Sequence, residues 1–437
     1  MAGRVAYLNA RLLDPVSGLD TKGALLVEDG RIADFGPTLF RDGAPSVRQV
    51  VDCDGACLAP GLFDIRAQLR EPGQEHLETL DSAGDAALAG GVTRIACLPN
   101  TDPIIDDVPV VEFIARRARE VRKAKVHCHA ALTRGFLGRE ITEIGLMKEA
   151  GVLAFTDAIT ATADAKVLSR ALSYAKAFDA LVMQHPEEPS LSSGGMMNKG
   201  FLASELGLAG IPTEAETIMV ERDLRLVAMT GGRFHFSHVT TGSALDAIRK
   251  AKKAGLAVTC DTAPHYFALN ESAVGDYRTF AKVSPPLRSE DDRQAVVEAI
   301  KDGTIDVIAS DHAPHDQDSK RLPFSQASFG VVGLESLLPL VLELYHAGHL
   351  SLLDVLAKVT SAPTGLMELN GGCLRKGAPA DLVLFDPDLE WTIRESTLHS
   401  KSKNTAFDGR KVKGRVLRTI VDGRTMYTDT PAAQTAS

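Results

Sequence analysis

Side chains that could bind a metal ion follow four predicted β-strands, each at the carboxyl end of its strand. They are Asp157, His185, His238 and Asp311. Two imidazoles and a carboxylate supply three nitrogen and oxygen ligands, which suits a catalytic zinc with one open position for water. Each histidine alone is better explained as a hydrogen-bonded core residue. The group together favours a metal site, with Asp311 as the candidate general base.

These positions depend on a repeating order of short β-rich runs and longer helical patterns, such as the helices predicted at 246–254 and 291–301. This alternation is typical of βα units and a parallel sheet. Eight such strands predict a closed (β/α)8 barrel, the TIM barrel, whose active site lies at the carboxyl ends of the strands. The predicted strands are 58–65, 92–98, 125–131, 152–156, 181–184, 233–237, 256–260 and 305–310.

The two ends of the chain have a different pattern of short alternating strands, at 23–28, 380–385 and 415–421, with Asp-Gly turns at Asp29-Gly30 and Asp422-Gly423. We expect residues 1–57 and 369–430 to form one small β-sandwich beside a barrel of residues 58–368. A flexible tail is expected at 431–437. A loop rich in Gly and Ser, 192–200, is a candidate for ordering by substrate or by a partner.

The composition is that of an ordinary globular protein, with 437 residues, 44% hydrophobic content and a net charge of -9. We find no basic run that could neutralise a phosphate backbone, so no nucleic-acid partner is expected. No signal peptide or membrane span is recognisable, and a cytoplasmic location is expected. The six cysteines are scattered and predicted to be reduced. Cys53 and Cys57, the one close pair, lack the further ligands of a zinc site.

Several sequence motifs together carry a family resemblance along nearly the whole chain. The chain resembles the bacterial dihydroorotases of the amidohydrolase superfamily, and in particular their non-catalytic homologues. The motifs are LREPGQE at 69–75, PNT at 99–101, GGMMNKGFLASELGLAGIP at 194–212, SHVTT at 237–241, SPPLR at 284–288, SDHAPH at 310–315 and ADLVLFDP at 380–387.

The resemblance implies a role in pyrimidine biosynthesis, where dihydroorotase interconverts N-carbamoyl-aspartate and dihydroorotate with the help of zinc. It assigns Asp157 as a bridging carboxylate, His185 and His238 as ligands of the second metal, and Asp311 as metal ligand and proton shuttle. It also places Arg70, Asn100 and His315 in the substrate pocket. A guanidinium matches a carboxylate bidentately, which supports the role of Arg70. Dihydropyrimidinases and allantoinases resemble a different pattern, with a carbamylated lysine where this chain has Asp157.

Three departures from the family pattern concern the same pocket. Arg66 and Gln68 stand where the family has His-X-His on the first strand, Ser284 replaces a substrate-binding Asn, and Ala158 follows Asp157 where a second Asp is usual. Because Arg cannot lose its proton to become a ligand and Gln is a poor zinc ligand, at most one zinc is expected, held by Asp157, His185 and His238. We also expect the fixed charge of Arg66 to balance Asp157 and Asp311 in place of the missing cation.

Three functional hypotheses follow. The first is a catalytically silent homologue that serves as a structural partner of aspartate transcarbamoylase, as the resemblance to non-catalytic homologues implies. The second is an active dihydroorotase with a single zinc. The third is a protein that binds dihydroorotate or carbamoyl-aspartate without turnover, through Arg70, Asn100 and His315. The sequence does not decide whether the chain forms a homo-oligomer.

Overall fold

The computed structural model describes residues 3–41, 43 and 46–429. The predicted flexible tail at 431–437 lies outside these residues. The strands are β1 Val5–Asp14, β2 Leu19–Glu28, β3 Arg31–Gly36, β4 Gln49–Asp52, β5 Cys57–Pro60, β6 Leu62–Ala67, β7 Val92–Cys97, β8 Lys125–Cys128, β9 Ala154–Phe155, β10 Leu181–Gln184, β11 Met197–Asn198, β12 Gly210–Ile211, β13 Phe234–Phe236, β14 Val258–Thr262, β15 Val307–Ile308, β16 Leu382–Thr392, β17 Lys411–Val421 and β18 Arg424–Thr428.

Most of the helices lie between the strands of the central part of the chain. The α-helices are α1 Leu80–Ala89, α2 Val108–Val121, α3 Ile144–Glu149, α4 Ala165–Lys176, α5 Pro189–Ser192, α6 Phe201–Glu205, α7 Glu214–Thr230, α8 Gly242–Lys253, α9 Pro264–Ala268, α10 Glu290–Lys301, α11 Gln317–Lys320, α12 Leu337–His346, α13 Leu352–Val359 and α14 Ser361–Leu366. Short 3₁₀ helices occur at Arg134–Phe136, Glu271–Val274, Thr279–Ala281 and Glu395–Thr397.

The strands β6 to β10 and β13 to β15 form a closed parallel barrel. One run of neighbouring strands has the order β6, β7, β8. The other run has the order β9, β10, β13, β14, β15. Two parallel bridges close the ring: Ala130 pairs with Phe155, and Ala67 pairs with His312. Each predicted barrel strand overlaps one of these strands, and the predicted (β/α)8 fold is confirmed.

The barrel strands are nearly continuous hydrophobic runs because both of their faces are covered. Every residue of β6, β7 and β10 is buried, as expected for parallel strands with side chains inside the barrel and helices outside. The helices begin at side-chain caps: Thr79 caps α1, Thr241 caps α8 and Ser289 caps α10. These caps fix the points at which the loops leave the carboxyl end of the barrel.

Strands from both ends of the chain form one sheet beside the barrel, in the order β18, β17, β16, β5, β1, β2, β3, with β4 paired to β1. The Asp29-Gly30 and Asp422-Gly423 turns have positive φ at both residues, as type I′ hairpins require. The strand predicted at 58–65 is divided at Gly61: its first part belongs to β5 in this sheet, and its second part is β6. A Cβ on Gly61 would lie 2.2 Å from the Thr93 side chain.

One face of the terminal sheet packs into the barrel core, through residues such as Leu13 and Val383, and the other face has a core of its own. The barrel core joins strand residues such as Val182 to helix residues such as Leu245, whereas Tyr7, Leu25 and Leu382 belong to the core of the terminal sheet. All six cysteines are free. The part of the chain that the structure describes has no helix long and apolar enough to cross a membrane.

Candidate functional site

The guanidinium of Arg66 lies at the centre of the carboxyl end of the barrel. Arg66 is the penultimate residue of β6 and is 1% exposed. Its Nε donates to Oδ1 of Asp311 at 3.2 Å, and its Nη1 lies 3.5 Å from both the carbonyl oxygen of Ala158 and Oγ of Ser237. Nη2 has no hydrogen-bond partner. One permanent cation therefore contacts residues from the first, fourth, sixth and eighth barrel strands or the loops that follow them.

Asp311 also lies beside a second cation, His238. A buried row of alternating charges runs from Asp261 through His238 and Asp311 to Arg66. Nε2 of His238 lies 3.1 Å from Asp311, and Nδ1 of His238 lies 2.5 Å from Asp261. Burial would lower the pKa of His238, but Asp261 and Asp311 raise it to about 9. Burial would raise the pKa of Asp311, but His238 and then Arg66 hold it well below its usual range. Both ring nitrogens of His238 thus face carboxylates.

His185 is present at the same end of the barrel as a neutral imidazole. Burial, followed by the charge of Arg66, lowers the pKa of His185 to about 3. Its Nε2 lies 3.4 Å from Oγ of Ser284, and its Nδ1 is buried without a hydrogen-bond partner among the described residues. A neutral ring with a free nitrogen is a chemically competent metal ligand, but the charge that acts most strongly on this ring is the cation of Arg66.

Asp157, the predicted bridging carboxylate, is fully engaged by threonines. It accepts hydrogen bonds from the backbone N–H of Thr133 at 2.8 Å, from Oγ1 of Thr133 at 2.7 Å and from Oγ1 of Thr162 at 3.0 Å. Burial raises its pKa despite these hydrogen bonds. The carboxylate therefore links the loop after the third barrel strand to the loop after the fourth by hydrogen bonds.

The structure does not assemble Asp157, His185 and His238 into a ligand group. No cluster of three or more His, Cys, Asp or Glu side chains that could hold a metal ion occurs in the residues that the structure describes. The guanidinium of Arg66 and the charged ring of His238 already supply positive charge here, so a metal cation would face electrostatic repulsion. The residues present do not fit a bound metal ion.

The residues predicted to bind substrate form two contacting pairs. Nη2 of Arg70 lies 3.2 Å from Nε2 of His315, and its Nε donates to the carbonyl oxygen of Pro314. Burial and the neighbouring Arg70 lower the pKa of His315 to about 3, so this ring is neutral. Nδ2 of Asn100 donates to Oε1 of Gln68 at 2.9 Å. Gln68, at a family ligand position, therefore contacts a predicted substrate residue.

Sequence reasoning missed three buried residues of this site: His129, Asp261 and His265. Nε2 of His129 lies 2.9 Å from the carbonyl oxygen of Ile65, one residue before Arg66. Asp261 binds His235 and His238, and Nε2 of His265 lies 3.7 Å from Asp311. His129 and Asp261 lie at or just beyond strand ends, so the rule that identified the other residues could have identified them.

Two further side chains hold the loops of the site in place. Asp64 accepts a hydrogen bond from the backbone N–H of Ser310 at 2.9 Å, which joins the first barrel strand to the loop carrying Asp311. Glu216 is fully buried and accepts from the backbone N–H groups of Thr240 and Thr241, which fixes the loop after His238. The loops of the site are well supported although Arg66 and Gln68 occupy two family ligand positions.

Comparison with known proteins gives one consistent family. A model described as dihydro-orotase-like matches residues 55–244, and a model of the amidohydrolase family matches residues 212–427. The chain is 48% identical to a dihydroorotase of Anaplasma phagocytophilum (strain HZ) over 97% of this chain and 95% of the relative. It is 44% identical to a dihydroorotase of Syntrophotalea carbinolica over 97% of this chain and 99% of the relative.

Solved structures of related enzymes share the fold. The L-hydantoinase (dihydropyrimidinase) of Arthrobacter aurescens matches with a TM-score of 0.85 and 23% identity, covering 96% of this chain and 95% of its own. The dihydropyrimidinase of Brevibacillus agri matches with a TM-score of 0.81 and 22% identity, covering 97% of this chain and 94% of its own. At this level of identity, these matches establish the barrel with its terminal sheet.

Proposed function

The chain belongs to the dihydroorotase family of amidohydrolases, and we propose that it is a catalytically silent member that serves as a structural partner of aspartate transcarbamoylase. The observation that carries this proposal is the buried ion pair between Arg66 and Asp311, at 3.2 Å. A side chain of the protein holds the positive charge that balances this carboxylate.

The same ion pair removes the proton-transfer capacity expected of Asp311. A general base works best when its pKa lies near the working pH, and a carboxylate held between two cations has a low proton affinity. His238 and Arg66 both lower the pKa of Asp311. Asp311 is thus a stabilising anion in this barrel and a poor general base for hydrolysis of a cyclic amide.

The loss of chemistry leaves the rest of the barrel intact, which supports a structural role. The carboxyl-end loops keep their buried supports at Asp64 and Glu216. A protein that acts as a partner needs this folded surface, whereas it does not need a metal. The family resemblance supplies the identity of the partner, the transferase that precedes dihydroorotase in pyrimidine synthesis.

One observation favours a second candidate, an active dihydroorotase with a single zinc. Nδ1 of His185 is buried and has no hydrogen-bond partner, as a ligand nitrogen without its metal would be. For this candidate to hold, the guanidinium of Arg66 would have to move away from its present position, and Asp157 would have to leave Thr133 and Thr162.

The deciding experiment is dihydroorotate hydrolysis by the purified chain, first stripped of metal and then supplied with zinc. We expect no turnover in either state. Zinc-dependent turnover that disappears in His185→Ala would overturn the silent assignment and establish the single-zinc enzyme.

The partnership is tested separately by sedimentation velocity of the chain mixed with its cognate aspartate transcarbamoylase, with each protein alone as control. We expect a new, faster species in the mixture. Two unchanged boundaries would contradict the structural role.

A further inference from the structure

A cleft with a volume of about 840 Å³ lies far from the barrel mouth, between the terminal sheet and the amino-terminal end of the barrel. Its walls are the turn at 29–31, the C-terminal part of α2 with the start of β8, and the hairpin of β17 and β18. Ligand sites commonly occupy clefts of this size at the boundary between two packed units. Neither the barrel chemistry nor the family assignment uses this cleft.

Four arginines line the cleft without a carboxylate partner within the described part of the chain: Arg31, Arg119, Arg122 and Arg424. All four are exposed. Among the described residues, their side chains hydrogen-bond only to backbone oxygens: Arg31 donates to Gly377, and Arg122 donates to Arg119. Their guanidinium groups are thus free to bind an anion.

The other charged groups of the cleft largely cancel one another. Lys123 lies 2.7 Å from Asp85, and Lys125 lies 2.8 Å from Asp381. Two carboxylates line the cleft, Asp29 and Asp422, and Asp422 forms an ion pair with Lys125 at 2.7 Å. Asp29 is then the one remaining negative charge, compared with the four positive charges of the free arginines. The cleft is therefore locally positive in a chain whose net charge is -9.

The cleft is also lined by apolar side chains and a neutral ring. Ala115, Ala118, Val126 and Met426 line it together with His127. Burial and then the nearby charges of Arg94 and Lys125 lower the pKa of His127 to about 4, so its imidazole is uncharged at neutral pH. Uncharged rings provide stacking surfaces for planar bases, and guanidinium groups bind phosphate oxygens.

We propose that this cleft is a binding site for a nucleoside di- or triphosphate, with Arg31, Arg119, Arg122 and Arg424 on the phosphates and with His127 and the apolar lining residues on the base. The combination of free guanidinium groups with apolar lining residues matches a nucleotide better than it matches a simple inorganic anion. The proposal is independent of whether the barrel mouth is catalytically silent.

The test is calorimetric titration of the whole chain with UTP and with ATP, and in parallel with pyrophosphate and with uridine. We expect the triphosphates to bind, more tightly than pyrophosphate, and uridine to bind weakly. The variant Arg119→Ala/Arg424→Ala should weaken triphosphate binding about tenfold or more, because two charge-assisted contacts are lost. Both residues are exposed, so the fold should be unaffected.

The matched control is Arg139→Ala, which removes an exposed arginine from a loop at the opposite end of the barrel. It should bind the triphosphates as the unmodified chain does. No heat with millimolar triphosphate would overturn the proposal, as would equal binding by the double variant and the control. Binding of pyrophosphate as tightly as the triphosphates, or of an RNA oligomer in place of mononucleotides, would also overturn it.

Discussion

Nε of Arg66 donates to Oδ1 of Asp311 at 3.2 Å, and the side chains of both residues are buried. Removing one partner of a buried ion pair leaves an uncompensated charge, which costs about 3–5 kcal/mol. We therefore expect Arg66→Met to lower the free energy of unfolding by about that amount, as measured by urea denaturation. Arg11→Met, which breaks the exposed pair with Asp20 at 2.7 Å, is the control. Equal losses in the two variants would contradict the role of Arg66.

Restoring the two first-strand histidines should restore a metal site. In Arg66→His/Gln68→His, the guanidinium is gone and two imidazoles stand beside Asp311, so we expect about one zinc ion per chain to be retained after dialysis. Zinc should also raise the melting temperature of this variant and leave that of the unmodified chain unchanged. Arg66→Met removes the guanidinium without adding ligands. If it retained as much zinc as the double variant, the histidines would not be the cause.

The side-chain amide of Asn404, in the C-terminal segment, hydrogen-bonds to the backbone of the segment at 313–330. The Asn404 side chain donates to the carbonyl oxygens of Ala313 and Gly330, and accepts from the backbone N–H of His315, each at 3.0 Å. Asn404→Ala leaves the carbonyl oxygen of Ala313 and the backbone N–H of His315 without this partner, while Gly330 keeps its hydrogen bond from Nζ of Lys320. We therefore expect a loss of about 1–3 kcal/mol in unfolding free energy. Limited proteolysis should then cut within 313–330 faster than in the unmodified chain. An unchanged cleavage pattern would show that other contacts hold the loop.

Lys320 gives the stability of the protein a specific pH dependence. Burial, and then the charge of Lys282, lowers the pKa of Lys320 to about 7 from a usual value of 10.5. Between these two values the unfolded chain binds more protons than the folded chain, so the free energy of unfolding rises with pH. Relative to Lys320→Met, the unmodified chain should gain about 1–2 kcal/mol from pH 7 to pH 8.5. Parallel pH profiles of the two proteins would exclude this contribution.

Most strands of the barrel were predictable because burial on both faces makes them largely apolar runs between polar loops, although β8 and β14 also carry polar residues. The ends of the strands were less predictable. The strand predicted at 125–131 ends at Cys128, and that predicted at 256–260 is β14, which runs from Val258 to Thr262. Strand ends are set by where neighbours diverge from hydrogen-bonding distance, which depends on the partner strand as well as on the local sequence.

Most members of the site were predictable, although His129, Asp261 and His265 were missed, and the pairings of the side chains were not predictable. The end of a strand places a side chain at the barrel mouth, and Asp157, His185, His238 and Asp311 all lie there. The hydrogen-bond partner of each side chain depends on residues elsewhere in the sequence. Asp157 accepts hydrogen bonds from Thr133 and Thr162, and Gln68 accepts one from Asn100. The expected balance of charge between Arg66 and Asp311 is present, whereas Asp157 is satisfied by hydroxyl groups.

Pairing between the two ends of the chain constrains the order of events during synthesis. β5 lies between β1 and β16 in the terminal sheet, with Leu58 opposite Leu384. On the ribosome, β5 emerges before any of the barrel. One of its edges stays unpaired until β16, which follows the whole barrel, has been translated. A chain that terminates early would expose this unpaired edge, which is a template for aggregation. Completion of the terminal sheet thus requires that translation has passed through the whole barrel to β16.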